Sequence, residues 1–489
     1  MIRRLAVLLA LSAGALRAQT VYDRVILNGR VMDPESGLDA TRNIGIAAGK
    51  VVVISAAPIA GRDTIDARGL VVAPGFIDLH DHWQDADGYR YAALDGVTTA
   101  LELEGGAGAV RGWYAAREGK ALVNFGASAS HGGARRASVV TRGDIAQART
   151  AQDSAEAANP GVYRTASDAE IQNLVRHIAN NLTDGALGIG MGLAYVPAAG
   201  RDEIFRVFQE AARARVPIFV HIRHASLTVN QGTLDATQEV IADAASTGAS
   251  LHIVHVTSTG LRQTGVALEM IAGAKARGID VTTEMYPYEA ASTDIRAAIF
   301  DPGWQQRLGI SEREIMWFGT GERLTPENFA SYRRMGGPIV AFVIPQEAID
   351  AALRDSTVLI ASDAVPLGEN AGHPRGAGTY ARVLGKYVRE EQKLSLMQAI
   401  KRMTLLPAQR LEGWVPQMRS KGRLNVGSDA DITVFDPARV IDRATYERPK
   451  QAPDGIPFVL VNGTPVVRNG SVVPNVMPGA AIRRPTTQP

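Results

Sequence analysis

The interpretation of the whole chain starts from one stretch, Val72-Ala73-Pro74-Gly75-Phe76-Ile77-Asp78-Leu79-His80-Asp81-His82. Residues 76–79 form a short apolar run after Pro74-Gly75, which predicts a buried β-strand. Because side chains alternate along a strand, His80 and His82 point the same way from its end. Two imidazoles side by side at a strand end make a good metal platform. The alternative is a pair of surface histidines after a turn.

Composition sets the outer limits. The chain has 489 residues, of which 46% are hydrophobic and 21% are charged. This is ordinary globular composition, and the length suffices for one large domain and a smaller one. The formal net charge is +2 and basic residues are not clustered, so we expect a small-molecule substrate and no nucleic acid. The chain contains no cysteine, which excludes disulfides and thiolate metal ligands. Whether the chain forms a homo-oligomer is left open.

Residues 1–18 have the features of a secretory signal peptide. Arg3 and Arg4 precede the apolar run 5–11, and small residues lead to Ala18. The apolar run is too short to span a bilayer comfortably. We therefore expect a mature protein that begins near Gln19, is periplasmic or secreted, and has no stable membrane span. An ordinary N-terminal helix is the alternative.

Both ends of the chain contain short β-strand patterns. They occur in residues 19–73 and 411–477, separated by turns such as Asn28-Gly29 and Asn462-Gly463. We predict one small β-sandwich domain built from both ends, with a larger domain inserted between them. The tail over residues 478–489 is rich in Pro, Arg and Thr, which predicts disorder.

Residues 74–410 alternate between apolar strand-like runs and helical stretches, as parallel α/β folds do. Eight candidate strands predict a closed (β/α)8 barrel of the TIM type; they cover residues 76–80, 98–104, 122–128, 186–190, 217–221, 251–255, 280–285 and 358–363. Residues 296–337 interrupt the alternation. We interpret them as an insertion over the barrel mouth, either a mobile lid or a helical elaboration without a role.

Metal-type ligands end five of these candidate strands: His80, Glu104, His221, His255 and Asp363. In such a barrel the active site lies at the carboxyl ends of the strands. Core packing does not explain five side chains of this kind converging at one end. We therefore predict a metal site at the barrel mouth.

At this point the motifs resemble a known family. The stretch from Pro74 to Asp78, followed by His80-Asp81-His82, resembles the first barrel strand of the amidohydrolase superfamily. Other motifs are similar to those of the N-acyl-D-amino-acid deacylases: 95–99, 185–188 with 192–195, Met285-Tyr286-Pro287-Tyr288, 373–380 with 382–384, and 403–408. The resemblance runs from about residue 22 to residue 470. It implies a metal-dependent barrel hydrolase with a β-sandwich formed from both chain ends.

The resemblance also assigns roles to residues. It implies that His80 and His82 bind one metal position, that His221 and His255 bind the other, and that Asp363 is the general base. The metal is expected to be zinc, one or two ions per chain, with other divalent metals as alternatives.

Two departures from the family pattern affect this assignment. The family's cysteine ligand after the second strand is missing, and Leu101-Glu102-Leu103-Glu104 stands in that region. We predict that Glu104 replaces the cysteine, with Glu102 as the second choice. A carboxylate can bridge two cations, which favours a binuclear centre. The family's lysine two residues after His255 is also missing and is Thr257 here, so the substrate is less certain than the chemistry.

The predicted chemistry is amide hydrolysis. A bound metal lowers the pKa of a water molecule to about 7, so that hydroxide forms at neutral pH. We expect this hydroxide to attack a linear amide, while Asp363 accepts a proton and passes it to the departing amine. Candidate substrate contacts are Tyr195, Tyr288, Arg223, Arg296, Arg375 and His131.

The preferred reading is therefore deacylation of N-acyl-D-amino acids. The alternative is a dipeptidase or another N-acyl-amino-acid hydrolase with a Glu-bridged binuclear centre. A non-catalytic binding protein of amidohydrolase type is a third reading, and failure to bind any divalent metal would support it.

Overall fold

The computed structural model describes residues 21–140, 160–228 and 230–485. The predicted signal peptide, residues 1–18, lies outside the described residues. The chain opens with five strands of one sheet: β1 Val21–Asp33, β2 Leu38–Ala47, β3 Lys50–Ser55, β4 Ala60–Asp66 and β5 Val71–Pro74. Strand β1 pairs on both of its edges: β2 is antiparallel along one edge, and β4 and β5 are parallel along the other.

The barrel follows directly. Its first seven strands are β6 Phe76–Asp78, β7 Val97–Ala107, β8 Asn124–Ser130, β9 Ile189–Gly192, β10 Pro217–His221, β11 Ser250–Ile253 and β12 Val281–Met285. Adjacent strands are parallel and pair in sequence order. Gly75 is required where β5 passes into β6, because a Cβ there would lie 2.2 Å from Thr98 Oγ1.

The predicted insertion is a small unit on the β12 side of the mouth. It contains a three-stranded antiparallel sheet of β13 Ala291–Asp294, β14 Ile315–Trp317 and β15 Pro338–Ala341. Its own core includes Trp304, Leu308 and Ile315. The backbone amide of Leu227 donates to the carbonyl of Arg307 at 2.9 Å, which joins the insertion to the loop after β10. Whether the insertion moves as a lid stays a prediction.

The eighth barrel strand, β16 Leu359–Ile360, pairs with β12. It meets the first strand through a parallel bridge between Asp81 and Ala364, where His82 N donates to Ala364 O at 2.9 Å. The eight strands therefore form a nearly closed barrel, and the predicted (β/α)8 fold class is confirmed. All eight candidate strands are present, with ends shifted by a few residues.

Helices cover the outside of the barrel and connect its strands. The longer ones are Ala86–Leu94, His131–Val139, Asp168–Thr183, Arg201–Ala214, Thr233–Thr247, Thr264–Ala276, Pro326–Met335, Gln346–Arg354, Arg375–Arg382, Leu396–Met403 and Leu405–Leu411, with a π-helix over Val383–Glu390. Shorter helices are Val110–Ala115, Pro160–Tyr163, Val256–Gly260 and Trp304–Leu308. Among the described residues no helix is long and apolar enough to cross a membrane.

The C-terminal strands return to the first sheet. They are β17 Ile432–Phe435, β18 Phe458–Val461, β19 Thr464–Arg468 and β20 Ser471–Val472. Because β17 pairs with β5, the two chain ends share one nine-stranded sheet. The free edge of β3 bonds back to the segment before β17, where Val51 N donates to Ser428 O at 3.0 Å. The sheet buries one apolar core of its own, which includes Ile26, Val31 and Ile432. Other side chains of the same strands, such as Phe435 and Val459, pack in the core that includes the barrel.

The predicted disorder of the tail is wrong for residues 479–484. Ile482 is buried, its amide donates to Phe125 O at 2.7 Å, and Phe125 N donates to Ala480 O at 3.1 Å. The segment therefore lies as an added strand beside β8. The Pro and Arg content of the tail predicts disorder, but the one apolar side chain of Ile482 is buried and holds the segment in place. Residues 486–489 lie outside the described residues.

Candidate metal centre

The five predicted ligands meet at the barrel mouth. His80 and His82 follow β6, Glu104 lies near the end of β7, His221 ends β10, and His255 follows β11; Asp363 follows β16 and joins them. The parallel direction of the strands explains the convergence, because the carboxyl ends of all of them lie at one end of the barrel. Two sets of side chains offer ligand atoms within 4.8 Å of one another: His80, Glu104 and His255, and His80, His82 and Asp363.

Four ligand atoms, drawn from both of these sets, surround a first possible metal position. Nε2 of His80 lies 3.0 Å from Nε2 of His82, and Glu104 Oε2 lies 3.0 Å from each of them. Asp363 Oδ1 lies 3.4 Å from His80 Nε2 and 3.5 Å from His82 Nε2. Ligands about 2.0 Å from a tetrahedral metal stand roughly 3.3 Å apart. The five distances are close to this spacing, so these atoms can share one metal ion.

The partners of the two rings show which nitrogens can bind a cation. His80 Nδ1 lies 2.6 Å from Glu284 Oε1, and His82 Nδ1 lies 2.8 Å from Glu102 Oε2. In the neutral rings, Nδ1–H donates to these carboxylates, which leaves a lone pair on each Nε2. Two lone pairs facing each other at 3.0 Å, with two carboxylate oxygens beside them, repel unless a proton or a metal ion binds there. Burial opposes a positive charge on these rings, but the carboxylates around them, Asp363 and Glu284 at His80 and Glu102 at His82, raise the pKa of both well above the usual value, so the site favours positive charge. The donor set therefore fits a divalent metal.

Glu104 also reaches a second possible metal position, formed by His221 and His255. Its other oxygen, Oε1, lies 2.8 Å from His221 Nδ1 and 3.9 Å from His255 Nε2. The His221 and His255 rings stand edge to face, with centroids 4.5 Å apart. One carboxylate thus presents one oxygen to each pair of histidines, which is the arrangement of a bridging ligand. Glu102, the second choice, bonds His82 and the amides of Gly105 and Gly106 instead.

The charges of the centre are strongly coupled. Burial alone would raise the pKa of Glu104, but hydrogen bonds with His221, His255, His80 and His82 hold it well below its usual range. Burial also opposes ionisation of Asp363, but the charges of Arg375 and His80 outweigh it and lower the pKa. Both carboxyl groups are therefore ionised at neutral pH and can act as metal ligands or proton acceptors.

Two of the predicted residues carry unusual backbone. His255 has φ of +31° and Asp363 has φ of +54°, in the left-handed region that most residues avoid. Such conformations cost about 1–3 kcal/mol each and persist where surrounding structure enforces them. They aim both side chains inward after their strands end.

A buried chain of polar groups behind His80 was missed by sequence reasoning. Glu284 accepts from His80 Nδ1 at 2.6 Å and from His252 Nε2 at 3.1 Å, and Thr282 Oγ1 lies 2.7 Å from His252 Nδ1. Burial opposes ionisation of Glu284, but the two histidines lower its pKa to about 2. A glutamate inside an apolar strand run was the available signal. His252 is fully buried and belongs to this chain.

Three of the predicted substrate contacts lie beside the centre or one layer behind it. Arg375 is buried, and its Nη1 lies 2.9 Å from Asp363 Oδ2, so it holds the far oxygen of that carboxylate. The Tyr195 ring stands edge to face with His221 at 5.0 Å. Tyr288 is farther back: its ring packs on His373 at 5.3 Å, and its hydroxyl has no hydrogen-bond partner within the described ranges. Tyr286, not predicted, lies nearer, 6.3 Å from the His255 ring.

The other three predicted contacts are engaged elsewhere. Both ends of the Arg223 guanidinium bind Glu239, at 3.1 and 3.0 Å. Arg296 is 60% exposed and pairs with Asp294 on the insertion. Arg223 and Arg296 each form an ion pair with a carboxylate close to them, and this explains why neither points to the metal centre.

His131 is fully buried and bonds Glu203 at 2.8 Å, in a cluster that also contains Arg135. The sequence predicts that His131 contacts the substrate. The structure instead turns this ring toward the helix Arg201–Ala214, where the buried carboxylate of Glu203 needs two donors.

Comparison with known proteins gives the family of the chain. The model of the amidohydrolase family matches residues 63–467. N-acyl-D-glutamate deacylase of Alcaligenes xylosoxydans xylosoxydans is 31% identical over 500 residues, covering 95% of this chain and 97% of its own. D-aminoacylase of the same organism is 28% identical over 498 residues, covering 91% and 94%.

A solved structure shows the same architecture. N-acyl-D-glutamate deacylase from Bordetella bronchiseptica, complexed with zinc and a phosphonate inhibitor, has a TM-score of 0.79 at 26% identity and covers 95% of this chain and 100% of its own. The resemblance to the deacylases seen in the sequence motifs is therefore confirmed. Because the family match spans most of the chain, the protein belongs to the amidohydrolase family and is a metal-dependent hydrolase of carbon–nitrogen amide bonds.

Proposed function

We propose that the protein removes the acyl group from N-acyl-D-amino acids at a binuclear centre bridged by Glu104, with zinc as the preferred metal. The observation that carries the proposal is the placement of Glu104, whose Oε2 faces His80 and His82 while its Oε1 faces His221. The two relatives that cover nearly all of the chain, a deacylase of N-acyl-D-glutamate and a D-aminoacylase, support the substrate class.

The chain supplies the acid–base groups. Bound metals would polarise the amide carbonyl and lower the pKa of a water molecule at the centre. Asp363 keeps Oδ1 toward the histidines because Arg375 holds Oδ2 at 2.9 Å. With its pKa lowered, Asp363 is ready as a carboxylate to accept a proton on Oδ1 and to donate it to the leaving amine.

The same residues suggest how the substrate is held. Nε of Arg375 is buried and has no hydrogen-bond partner in the described part of the chain. Its guanidinium carbon lies 4.8 Å from the centroid of the Tyr286 ring. We assign the substrate carboxylate to Arg375, whose Nη2 otherwise makes only a 3.4 Å hydrogen bond to Ser292 O, with the Tyr286 ring beside it.

A substrate panel tests the proposal. N-acetyl derivatives of D-glutamate, D-aspartate and D-methionine are assayed beside their L-enantiomers and a set of dipeptides, with zinc-loaded protein and metal-stripped protein. We expect turnover of at least one D-derivative, a preference for D over L, and loss of turnover on metal removal. Preference for L-derivatives, or turnover of dipeptides alone, contradicts it.

A dipeptidase is the second candidate, because one observation favours it. Thr257 stands where the deacylases tend to carry a lysine, and its buried hydroxyl has no hydrogen-bond partner among the described residues. A lost cation beside the centre changes which substrate charge can be accepted. The dipeptides in the panel separate the two candidates.

We also propose that the protein acts outside the cytoplasm. Arg3, Arg4 and the apolar run 5–11 before Ala18 support an exported precursor. Cell fractionation and N-terminal sequencing of the mature protein test this. An N-terminus near Gln19 in the periplasm or medium is expected, and an uncleaved cytoplasmic protein contradicts it.

A further inference from the structure

A pocket with a mixed apolar and charged wall lies at the opposite end of the barrel from the metal centre. It has a volume of about 340 Å³ and opens beside residues that precede β12 and β16 or begin them. These are the amino ends of the strands, whereas the metal ligands follow the carboxyl ends. Charged or aromatic side chains in its wall are Lys275, Asp280, Lys401, Arg410 and Trp414.

Arg410 is the unusual member of this wall. Its side chain is 3% exposed, and Nη1 donates to Asp280 Oδ1 at 2.8 Å. Nε and Nη2 are also buried, but neither has a hydrogen-bond partner within the described ranges. Arg410 itself lines the pocket, as do its hydrogen-bond partner Asp280 and Trp414, whose ring centroid lies 5.8 Å from the guanidinium carbon. The guanidinium therefore lies in the pocket wall with two N–H donors unused, which is costly for a buried charged group.

The two unused donors sit on one edge of the guanidinium. Nε–H and Nη2–H point the same way, and this edge binds the two oxygens of a carboxylate or phosphate together. The chain itself shows the contact elsewhere: Arg213 binds Glu210 through Nε at 2.7 Å and Nη2 at 2.5 Å. Arg30 binds Asp39 through the same two nitrogens, at 2.6 and 2.7 Å.

The charge around Arg410 favours an anion. Lys275 and Lys401 are exposed at the pocket, and Asp280 is the only carboxylate among the residues that line it. That carboxylate is already engaged, since its Oδ2 accepts from Ser250 Oγ at 2.5 Å and its Oδ1 from Arg410. Burial lowers the pKa of Arg410, and Asp280 offsets this only in part. A bound anion would supply the missing counter-charge.

We propose that this pocket is a binding site for a small oxyanion, a carboxylate or a phosphate, held by the Nε–Nη2 edge of Arg410 with Lys275 and Lys401 at the rim. The site is separate from the substrate site, since it lies at the other end of the barrel. It does not depend on the hydrolytic function proposed above.

Calorimetric titration tests the site with two probes, inorganic phosphate and acetate, which separate the two kinds of oxyanion. The variants are Arg410→Lys, which keeps the charge but loses the paired edge, and Lys401→Ala at the exposed rim. Glu104→Ala serves as a control because anions also bind metal centres. We expect binding of at least one probe that persists in Glu104→Ala, weakens about 10- to 100-fold in Arg410→Lys, and weakens severalfold in Lys401→Ala.

Three results overturn the proposal. The first is no binding of either probe at millimolar concentration. The second is unchanged binding in Arg410→Lys. The third is binding that disappears in Glu104→Ala but is unaffected by Lys401→Ala, which would place the anion at the metal centre. If Arg410→Lys does not fold, the exposed Lys401 variant still decides between the two ends of the barrel.

Discussion

Removing the carboxylate of Glu104 tests the centre most directly. The substitution Glu104→Ala takes Oε2 from a set in which it lies 3.0 Å from both His80 and His82. It also takes Oε1, which lies 2.8 Å from His221. One substitution therefore removes a ligand from each of two metal positions. The expected result is a fall from two metals per chain to one or none.

The size of the effect follows from the ligand count. A four-ligand structural zinc site is worth about 10–16 kcal/mol, or roughly 2.5–4 kcal/mol per ligand. Losing one ligand therefore weakens each position about 10²- to 10³-fold. The assay is metal content by mass spectrometry after gel filtration in metal-free buffer, with competition against a chelator to obtain affinities.

Glu102→Ala is the matched control. Glu102 points to the same face of β7, but it touches the centre only through His82 Nδ1, at 2.8 Å. An orienting partner of this kind is worth about 10- to 100-fold in metal affinity, so two metals should still bind at saturation. Circular dichroism and thermal unfolding confirm that both variants fold. Unchanged metal content in Glu104→Ala, with loss in Glu102→Ala, would refute the assignment and make Glu102 the ligand.

Two further predictions concern the surroundings of the centre, and a third concerns the buried His131–Glu203–Arg135 cluster away from it. Asp363→Asn, assayed at saturating metal, should lower turnover about 10²- to 10⁴-fold, as expected when an acid–base group is lost; turnover and metal content are measured together. Glu284→Gln should weaken metal binding about 10- to 100-fold, because the buried His80 loses its charged partner; chelator competition measures this. Glu203→Gln should destabilise the fold by about 3–5 kcal/mol, because the buried Arg135 loses its counter-charge; urea unfolding measures this.

The last of these changes carries a pH signature. Burial opposes ionisation of Glu203, but His131 and Arg135 lower its pKa below the usual value. A lowered pKa in the folded state contributes stability above the ordinary pKa of glutamate, and this stability is lost as pH falls through the lowered value. Wild-type protein should therefore lose stability on acidification over a window that Glu203→Gln lacks. If the free energy of unfolding falls equally in the two proteins between pH 7 and pH 3, this account is contradicted.

The barrel and its ligands could be predicted because both depend on local periodicity. A strand period of two puts His80 and His82 on one face, and parallel strands bring Glu104, His221 and Asp363 to the same end. The choice of Glu104 over Glu102 was harder, since both share that face. It is decided in three dimensions, where Glu102 is taken by His82 and two backbone amides.

Long-range partners could not be predicted in the same way. Arg375 was expected to contact the substrate, and its bond to Asp363 depends on how the helix after residue 374 enters the mouth. Arg296 and Arg223 each have a carboxylate at hand, Asp294 and Glu239, which no period in the sequence reveals. A flexible cation binds the carboxylate that the fold places nearest to it.

The proposed use of Glu104 as a metal ligand, in a chain without cysteine, has a consequence for oxidation chemistry. A ligand thiolate can be oxidised through sulfenic to sulfonic acid, and the metal is then lost. This centre offers only imidazole nitrogens and carboxylate oxygens, and the chain contains no cysteine. Peroxide therefore finds no ligand sulfur to attack, and the enzyme needs no reductant during purification. Added thiols act on it only as competitors for zinc, since sulfur ligands bind that metal well.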